Sequence, residues 1–436
     1  MLIVTVFSRK NVSNWIAVDM RRWILALIVG LPLTIMGGNR TYDPQVKTLQ
    51  AVVNNNWTSR IAVMRLDTDD VLNIGFDELS HDYHRYVYQI ERCEADWQTS
   101  KEVFESDWLE GFNGLPIDDY DRSLNTVVSY THYRLQIPND QVRLKISGNY
   151  RIHITDDDTN KEVAMVELMV TEQTMSLALE ATTNTDIDTN VSHQQLSMSL
   201  NFGQWRVTAP EDQIRTVVMQ NGRQDNWRRN VKPTAMITNG LEWRHQKNLI
   251  FEGGNEYRKF EILDPSHPTM GVDYILFVDN QYHAFTFTDE PRPNYIYDED
   301  ANGAFYIRNS DNRENDITSD YVYVHYSIEQ PDRLGGEMII DGTWTTESPK
   351  TYVMKYDYNG YIATILQKQG YYSYQYLWKP TIGKHSFVTS EGNFYQTENT
   401  YQVLVYYKGT GERTWRLTSY RDIRLASSDT GDRRQQ

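Results

Sequence analysis

Apolar and polar residues alternate with a period of two most clearly between residues 132 and 154. Tyr133, Leu135 and Ile137 point one way while His132, Arg134 and Gln136 point the other. Val142, Leu144 and Ile146 then alternate with Arg143, Lys145 and Ser147; after a turn at Gly148-Asn149, Tyr150, Ile152 and Ile154 continue inward. Such spacing predicts a half-buried antiparallel sheet. Upstream, Tyr86-Val87-Tyr88-Gln89-Ile90 reads as a Tyr-rich strand, and 60–66 and 71–76 as short strands ended by acidic turns.

The pattern continues in two further blocks. Over 160–310, segments 163–170, 175–179, 196–202 and 214–219 read as strands, and Gln220-Asn221-Gly222-Arg223 carries the Asn-Gly pair of a type I′ turn. Over 315–428, segments 321–327, 337–340, 352–356, 361–366, 371–378 and 401–407 do the same. On 371–378, Tyr372, Tyr374 and Tyr376 share one face and Tyr371, Ser373, Gln375 and Leu377 the other, which places aromatics on both. Leu144, six residues before Tyr150, resembles the tyrosine corner of immunoglobulin-like sandwiches, in which a phenol caps a backbone turn. The predicted fold is all-β: tandem immunoglobulin-like or fibronectin-like sandwiches over 43–158, 160–310 and 315–428, with a polar tail at 429–436.

The length of 436 residues asks for two or three cores. Thirty tyrosines among 12% aromatics argue for folded, strand-rich structure. Residues 20–38 read as an export signal: Met20-Arg21-Arg22 is a basic head, the apolar run from Trp23 to Met36 follows, and Gly37-Gly38 supplies small residues. The run is shorter than the roughly 20 residues of a spanning helix, which disfavours the competing reading as an anchor. Residues 1–19 would then be an over-long start, and the mature chain soluble and exported. Losing 1–38 removes four basic residues (Arg9, Lys10, Arg21, Arg22) and one acidic (Asp19), so the net charge goes from −16 to −19. That balance repels phosphate backbones, and nucleic acid is not an expected partner. Cys93 is the one cysteine, so no intrachain disulfide forms.

Catalytic patterns are missing. There is no Gly-x-Ser-x-Gly elbow, His-Glu-x-x-His pair, Walker loop or dinucleotide fingerprint. The acidic clusters at Asp67, Asp69 and Asp70, at Asp156-Asp157-Asp158 and at Asp298-Glu299-Asp300 lack calcium-loop spacing, and His81 and His84 are poorly spaced for a shared metal. Neither metal nor cofactor is expected. Asp96, Asp107, Glu110 and Asp119 are the candidates for a glycosidase carboxylate pair. Exposed aromatics could instead stack on sugars or anchor a protein interface.

The densest stretch, 83–154, carries Cys93-Glu94-Ala95-Asp96-Trp97, the loop from Asp107 through Gly111, Phe112 and Asn113, Tyr130-Thr131-His132-Tyr133, Pro138-Asn139-Asp140 and Ser147-Gly148-Asn149-Tyr150. Further on stand Gln220 to Arg223, Gly253-Gly254-Asn255-Glu256, Gln369-Gly370-Tyr371-Tyr372, Thr397-Glu398-Asn399 and Val403-Leu404-Val405-Tyr406-Tyr407. In this order the set resembles the plug-protein family of the Bacteroidota type IX secretion system. It departs at Arg92, where the family pattern has His. The resemblance implies a periplasmic, outer-membrane-associated protein without enzymatic activity. Such a protein seals the periplasmic mouth of the outer-membrane translocon barrel, which is its implied protein partner. The motif residues are then structural or interfacial, and the acidic loop 106–121 is the expected contact. The alternative is a carbohydrate-binding protein: Gly342-Thr343-Trp344 and 370–376 look like the early-immunoglobulin modules that bind starch-like glucans.

Overall fold

The computed structural model describes residues 38–383 and 385–425. About 49% of it is strand and 6% helix, in several antiparallel sheets without a barrel. The export signal predicted over 20–38, Gly38 excepted, and the polar tail lie outside the described residues. Among the described residues no helix is long and apolar enough to cross a membrane.

The first sandwich follows from the alternation read in the sequence. One sheet runs Val46–Val53, Leu72–Glu78, Thr131–Ile137, Asp119–Arg122. Phe76 lies opposite Tyr133, Ile74 opposite Leu135 and Leu72 opposite Ile137, so all six face the same core. The other sheet runs Arg40–Thr41, Lys161–Thr171, Gly148–Asp156, Tyr86–Cys93, Leu115–Pro116, with Val63–Arg65 added in parallel to Lys161–Thr171. Segment 163–170, grouped with the second block by its place in the sequence, therefore hydrogen-bonds inside the first sandwich. Gly148 and Asn149 differ from the expected turn: both belong to the strand Gly148–Asp156, and the chain turns just before them. The tyrosine corner is present, with the Tyr150 hydroxyl donating to the Ile146 carbonyl at 2.6 Å. The third sandwich repeats it, Tyr372 donating to the Lys368 carbonyl at 2.6 Å.

The middle sandwich is closed by strands from the far end of the chain. Its first sheet contains Ser176–Thr182, His193–Asn201, Gly240–Trp243, Ala235–Ile237 and Ile250–Glu252. Its second runs Arg228–Arg229, Ile214–Gln220, Thr400–Tyr407, Arg416–Arg424. Sequence order puts Thr400–Tyr407 with the third block, yet it pairs with Ile214–Gln220, Val403 opposite Val218. Its composition gives the reason. Tyr401, Val403, Val405 and Tyr407 fill the middle core, whereas Leu404 and Tyr406 face a separate cluster with Cys93, Trp97 and Met169 of the first sandwich. A strand apolar on both faces needs a neighbour on each side.

The third sandwich lies between Gly253 and Asn399 in the chain. One sheet is built on Gly370–Pro380 with Arg258–Ile262, Phe305–Ile307, Gly336–Asp341 and Ser386–Phe387. The other runs Val272–Val278, Gln281–Thr286, Tyr321–Glu329, Gly360–Lys368, Lys355–Asp357. Tyr372, Tyr374 and Tyr376 point into the core between them.

Candidate functional site

Several of the residues singled out in the sequence lie at the seams between sandwiches. At the seam of the first and middle sandwiches, Arg92 is 2% exposed and its guanidinium donates to four carbonyls. One Nη reaches Cys93 and Asn149; the other reaches Ser147 at 2.8 Å and Trp415 of the middle sandwich at 2.6 Å. Gly148 makes room for it. Its φ is +133°, and a Cβ there would lie 2.2 Å from an Arg92 nitrogen. Asn149 accepts from the Tyr406 hydroxyl at 2.9 Å and donates to the Glu94 carbonyl at 3.1 Å. Trp97 is buried under Arg151, while Asp96 sits exposed in the turn and accepts the Gln98 N–H. Burial and the nearby Glu91 push the Cys93 thiol up to about 12, which leaves it protonated and unreactive near neutrality.

At the seam of the first and third sandwiches the outer face of the first is covered, so His132 is buried although alternation points it outward. Asp77, 0% exposed, takes hydrogen bonds from Lys368 and Tyr321, each at 2.6 Å, and meets the His132 ring nitrogen at 2.6 Å. The Lys368 ammonium lies 4.1 Å from the Tyr130 ring centroid, and Tyr130 donates to the Ser319 carbonyl at 2.7 Å. Lys368 and His132 hold the Asp77 carboxyl below its ordinary range against the opposing effect of burial. Tyr133 stays in the first core, stacked on Phe76.

The middle and third sandwiches meet where the chain crosses between them twice. Outgoing Gly253 passes so close to returning Phe394 that a Cβ would lie 2.0 Å from its carbonyl oxygen. Gly254 and Phe394 are hydrogen-bonded, and Asn399 donates to the Gly253 carbonyl at 2.7 Å. Asn255 donates to the Glu391 carbonyl at 2.8 Å. Glu256 accepts from the Tyr295 hydroxyl at 2.6 Å and the Glu398 N–H at 3.0 Å, and burial pushes its carboxyl up to about 7.

The acidic loop differs from these seams. Asp107 accepts the Phe104 N–H at 3.0 Å and an Arg413 bond at 2.7 Å, and Asn113 brackets the backbone of Ile90. Gly111 ends the short strand Leu109–Gly111, opposite Val142. Phe104 and Phe112 are 74% and 73% exposed. A cleft of about 920 Å³ opens where all three sandwiches meet, lined by Trp57, Arg65, Lys259, Asp300, Tyr371 and Asp422 among others. Asp96, Asp107, Glu110 and Asp119, the carboxylate-pair candidates, are not among the residues that line this cleft.

The aromatics proposed for glucan binding are corrected by burial. Trp344 is 8% exposed, stacks on Tyr326 and donates to the Ser373 carbonyl at 3.1 Å. Tyr372, Tyr374 and Tyr376 are core residues, and of that stretch Tyr371 alone lines the cleft. Nothing in the sequence marked Asp77, Tyr321 and Lys368, because single polar residues inside strands show no period. The departure at Arg92 was the one signal available.

A family model described as the first domain of the type 9 secretion system plug protein matches residues 46–172. That span begins with the strand Val46–Val53 and ends one residue beyond Lys161–Thr171, together the body of the first sandwich. The chain belongs to the type 9 secretion system plug protein family. Membership gives it a role associated with type 9 secretion and the cell envelope. A crystal structure of a hypothetical protein from Parabacteroides merdae is 34% identical, with a TM-score of 0.86, covering 90% of this chain and 100% of its own. The C-terminal domain of the Streptococcus agalactiae AgI/II polypeptide BspA, 7% identical over 86% of this chain and 100% of its own, has a TM-score of 0.13. No curated protein matches.

Proposed function

We propose that the protein is a non-enzymatic periplasmic plug that closes the periplasmic mouth of the outer-membrane translocon barrel. The observation that carries this reading is where Arg92 and several of the motif residues are used. Arg92, Gly148, Asn149, His132 and Gly253 to Glu256 join three sandwiches through buried contacts, and none of them lines the central cleft. A body that seals by occupying space needs resistance to deformation and a broad contact, on the order of 1,200–2,000 Å² for a stable complex. Family membership supplies the secretion context.

The contact assigned to the barrel is the loop 106–121 with its neighbour Phe104. Phe104 and Phe112 are exposed, as are Glu110, Asp118 and Asp119, and protein interfaces combine such apolar anchors with polar groups. The test is affinity capture of the tagged protein from detergent-solubilised envelopes, with mass spectrometry of what accompanies it. The expected result is an outer-membrane barrel whose recovery falls at least roughly tenfold in the doubly substituted Phe104→Asp, Phe112→Asp protein. Undiminished recovery removes the loop from the interface. Absence of any barrel with the unsubstituted protein removes the plug reading itself.

A further inference from the structure

Val272–Val278 ends one sheet of the third sandwich and pairs on one side only, with Gln281–Thr286. Other sheet edges in the molecule are blunted by charge. Asp119–Arg122 has three charged residues among four, Arg228–Arg229 is two arginines, and Lys355–Asp357, across the same sheet, carries a charge at each end. Val272–Val278 lacks this protection over its last five residues. After a bulge at Asp273, Tyr274 to Val278 pair one for one with Gln281 to Phe285. All five are apolar or aromatic, and Tyr274, Leu276, Phe277 and Val278 are 43–54% exposed.

The hairpin turn decides which backbone groups are free. Asp279 and Asn280 have φ of +50° and +61°, the two-residue type I′ connection. Its flanking residues, Val278 and Gln281, are then a hydrogen-bonded pair, and such pairs alternate along an antiparallel ladder. Leu276 and Tyr274 therefore bond to His283 and Phe285, while Ile275 and Phe277 turn N–H and C=O outward. No described strand pairs on that side. Ring contacts hold the strand on both faces: Phe277 lies 4.8 Å from Tyr282, and Tyr274 stacks on Phe285 at 4.4 Å. The surroundings are acidic. Between Lys259 and Arg292 the chain has no lysine or arginine, and exposed Asp273 and Asp279 bracket the apolar run. Lys259 and Arg292 are themselves paired with Asp298 and Glu391.

We propose that Tyr274 to Val278 takes up an extended segment of a partner protein as an added strand, and that this segment is apolar at alternate positions with a lysine or arginine at each end. An edge of outward N–H and C=O groups is matched by another extended backbone, which gives the shape of the occupant. The bracketing carboxylates give its charge, and their spacing sets the two basic residues as far apart as Asp273 is from Asp279. A second copy of this chain brings the same carboxylates on a body of net charge −16, so like charge opposes self-pairing. The inference uses no residue of the loop 106–121 and stands apart from the barrel contact assigned there.

The test titrates the full chain against a fluorophore-labelled, end-capped peptide Lys-Val-Thr-Val-Thr-Val-Lys, read by anisotropy. The expected result is saturable binding, weakened at least roughly tenfold by N-methylation of one alternate set of peptide amides and little by the other, since one edge of an added strand faces the protein. Equal effects of the two sets, or no saturable binding, overturn strand addition. In the protein, Phe277→Pro removes an outward N–H without touching the ladder to Gln281–Thr286 and is expected to lose the peptide. Phe277→Thr keeps that N–H and is expected to hold it. Equal affinities of the two variants overturn the assignment to this edge. Asp273→Asn with Asp279→Asn, both at exposed side chains, is expected to weaken binding and flatten its salt dependence. An unchanged affinity overturns the basic ends assigned to the occupant. Dimerisation of the protein alone, abolished by Phe277→Pro, gives the edge to a second copy and overturns the partner segment.

Discussion

Lys368 donates to Asp77 at 2.6 Å across the seam of the first and third sandwiches, and neither side chain is more than 1% exposed. The two residues are 291 positions apart. Removing water from both charges is opposed by their attraction and by the further bonds from Tyr321 and His132 to the same carboxylate. Lys368→Met alone strands a buried carboxylate and is expected to destabilise the chain by about 3–5 kcal/mol in urea unfolding. Adding Asp77→Asn keeps an acceptor for Tyr321 and should recover at least half of that loss. A double variant no better than the single one would show that the pair's charges are not coupled.

Gly148→Ala is expected to open the seam of the first and middle sandwiches. The added methyl falls on the Arg92 guanidinium, and φ of +133° is strained for any residue with a Cβ. A loss above about 2 kcal/mol is expected. Trp415, whose carbonyl Arg92 holds, should gain solvent exposure, read as a red shift of its fluorescence. A variant within about 0.5 kcal/mol of the parent would show that the guanidinium moves aside freely.

Glu256 gives the seam of the middle and third sandwiches a pH dependence. Its folded carboxyl is raised to about 7 from an ordinary 4.5, chiefly by burial, so the folded state binds more protons than the unfolded one between those values. Stability from this group is therefore full at low pH and is lost as pH rises through about 7. Glu256→Gln retains a carbonyl for Tyr295 and Glu398 and should raise stability at pH 8 by about 1–2 kcal/mol, with little gain at pH 5. Urea midpoints across that range measure it, and an unchanged slope would mean Glu256 ionises normally.

Trp344→Ala should behave as a core truncation. With the indole buried against Tyr326, Tyr352 and Tyr372, a loss of about 3–5 kcal/mol is expected. Phe112→Ala, at a side chain 73% exposed, should stay within about 0.5 kcal/mol. Calorimetry of the two variants decides the contrast. A stable Trp344→Ala protein with altered migration in soluble glucan would reverse the assignment of this tryptophan to the core.

The tyrosine corner at Tyr150, the strands around Phe76 and Tyr133 and the left-handed turn at Asn221-Gly222 were legible because each rests on neighbours in the chain. The family motifs were legible too, but not what they are for. His132 and Asn149 could be read as surface, loop or interface until the second face of their sheets was seen to be covered.

By itself the sequence determined the repeating strand, its inward face and the approximate number of cores, since a period of two and a turn residue are local instructions. Tertiary structure alone decided that Thr400–Tyr407 closes the middle sandwich and that Asp77 finds Lys368. Alternation specifies which side of a strand avoids water. It does not specify what arrives to cover the other side, because that partner lies hundreds of residues away and an isolated buried charge leaves no period to read.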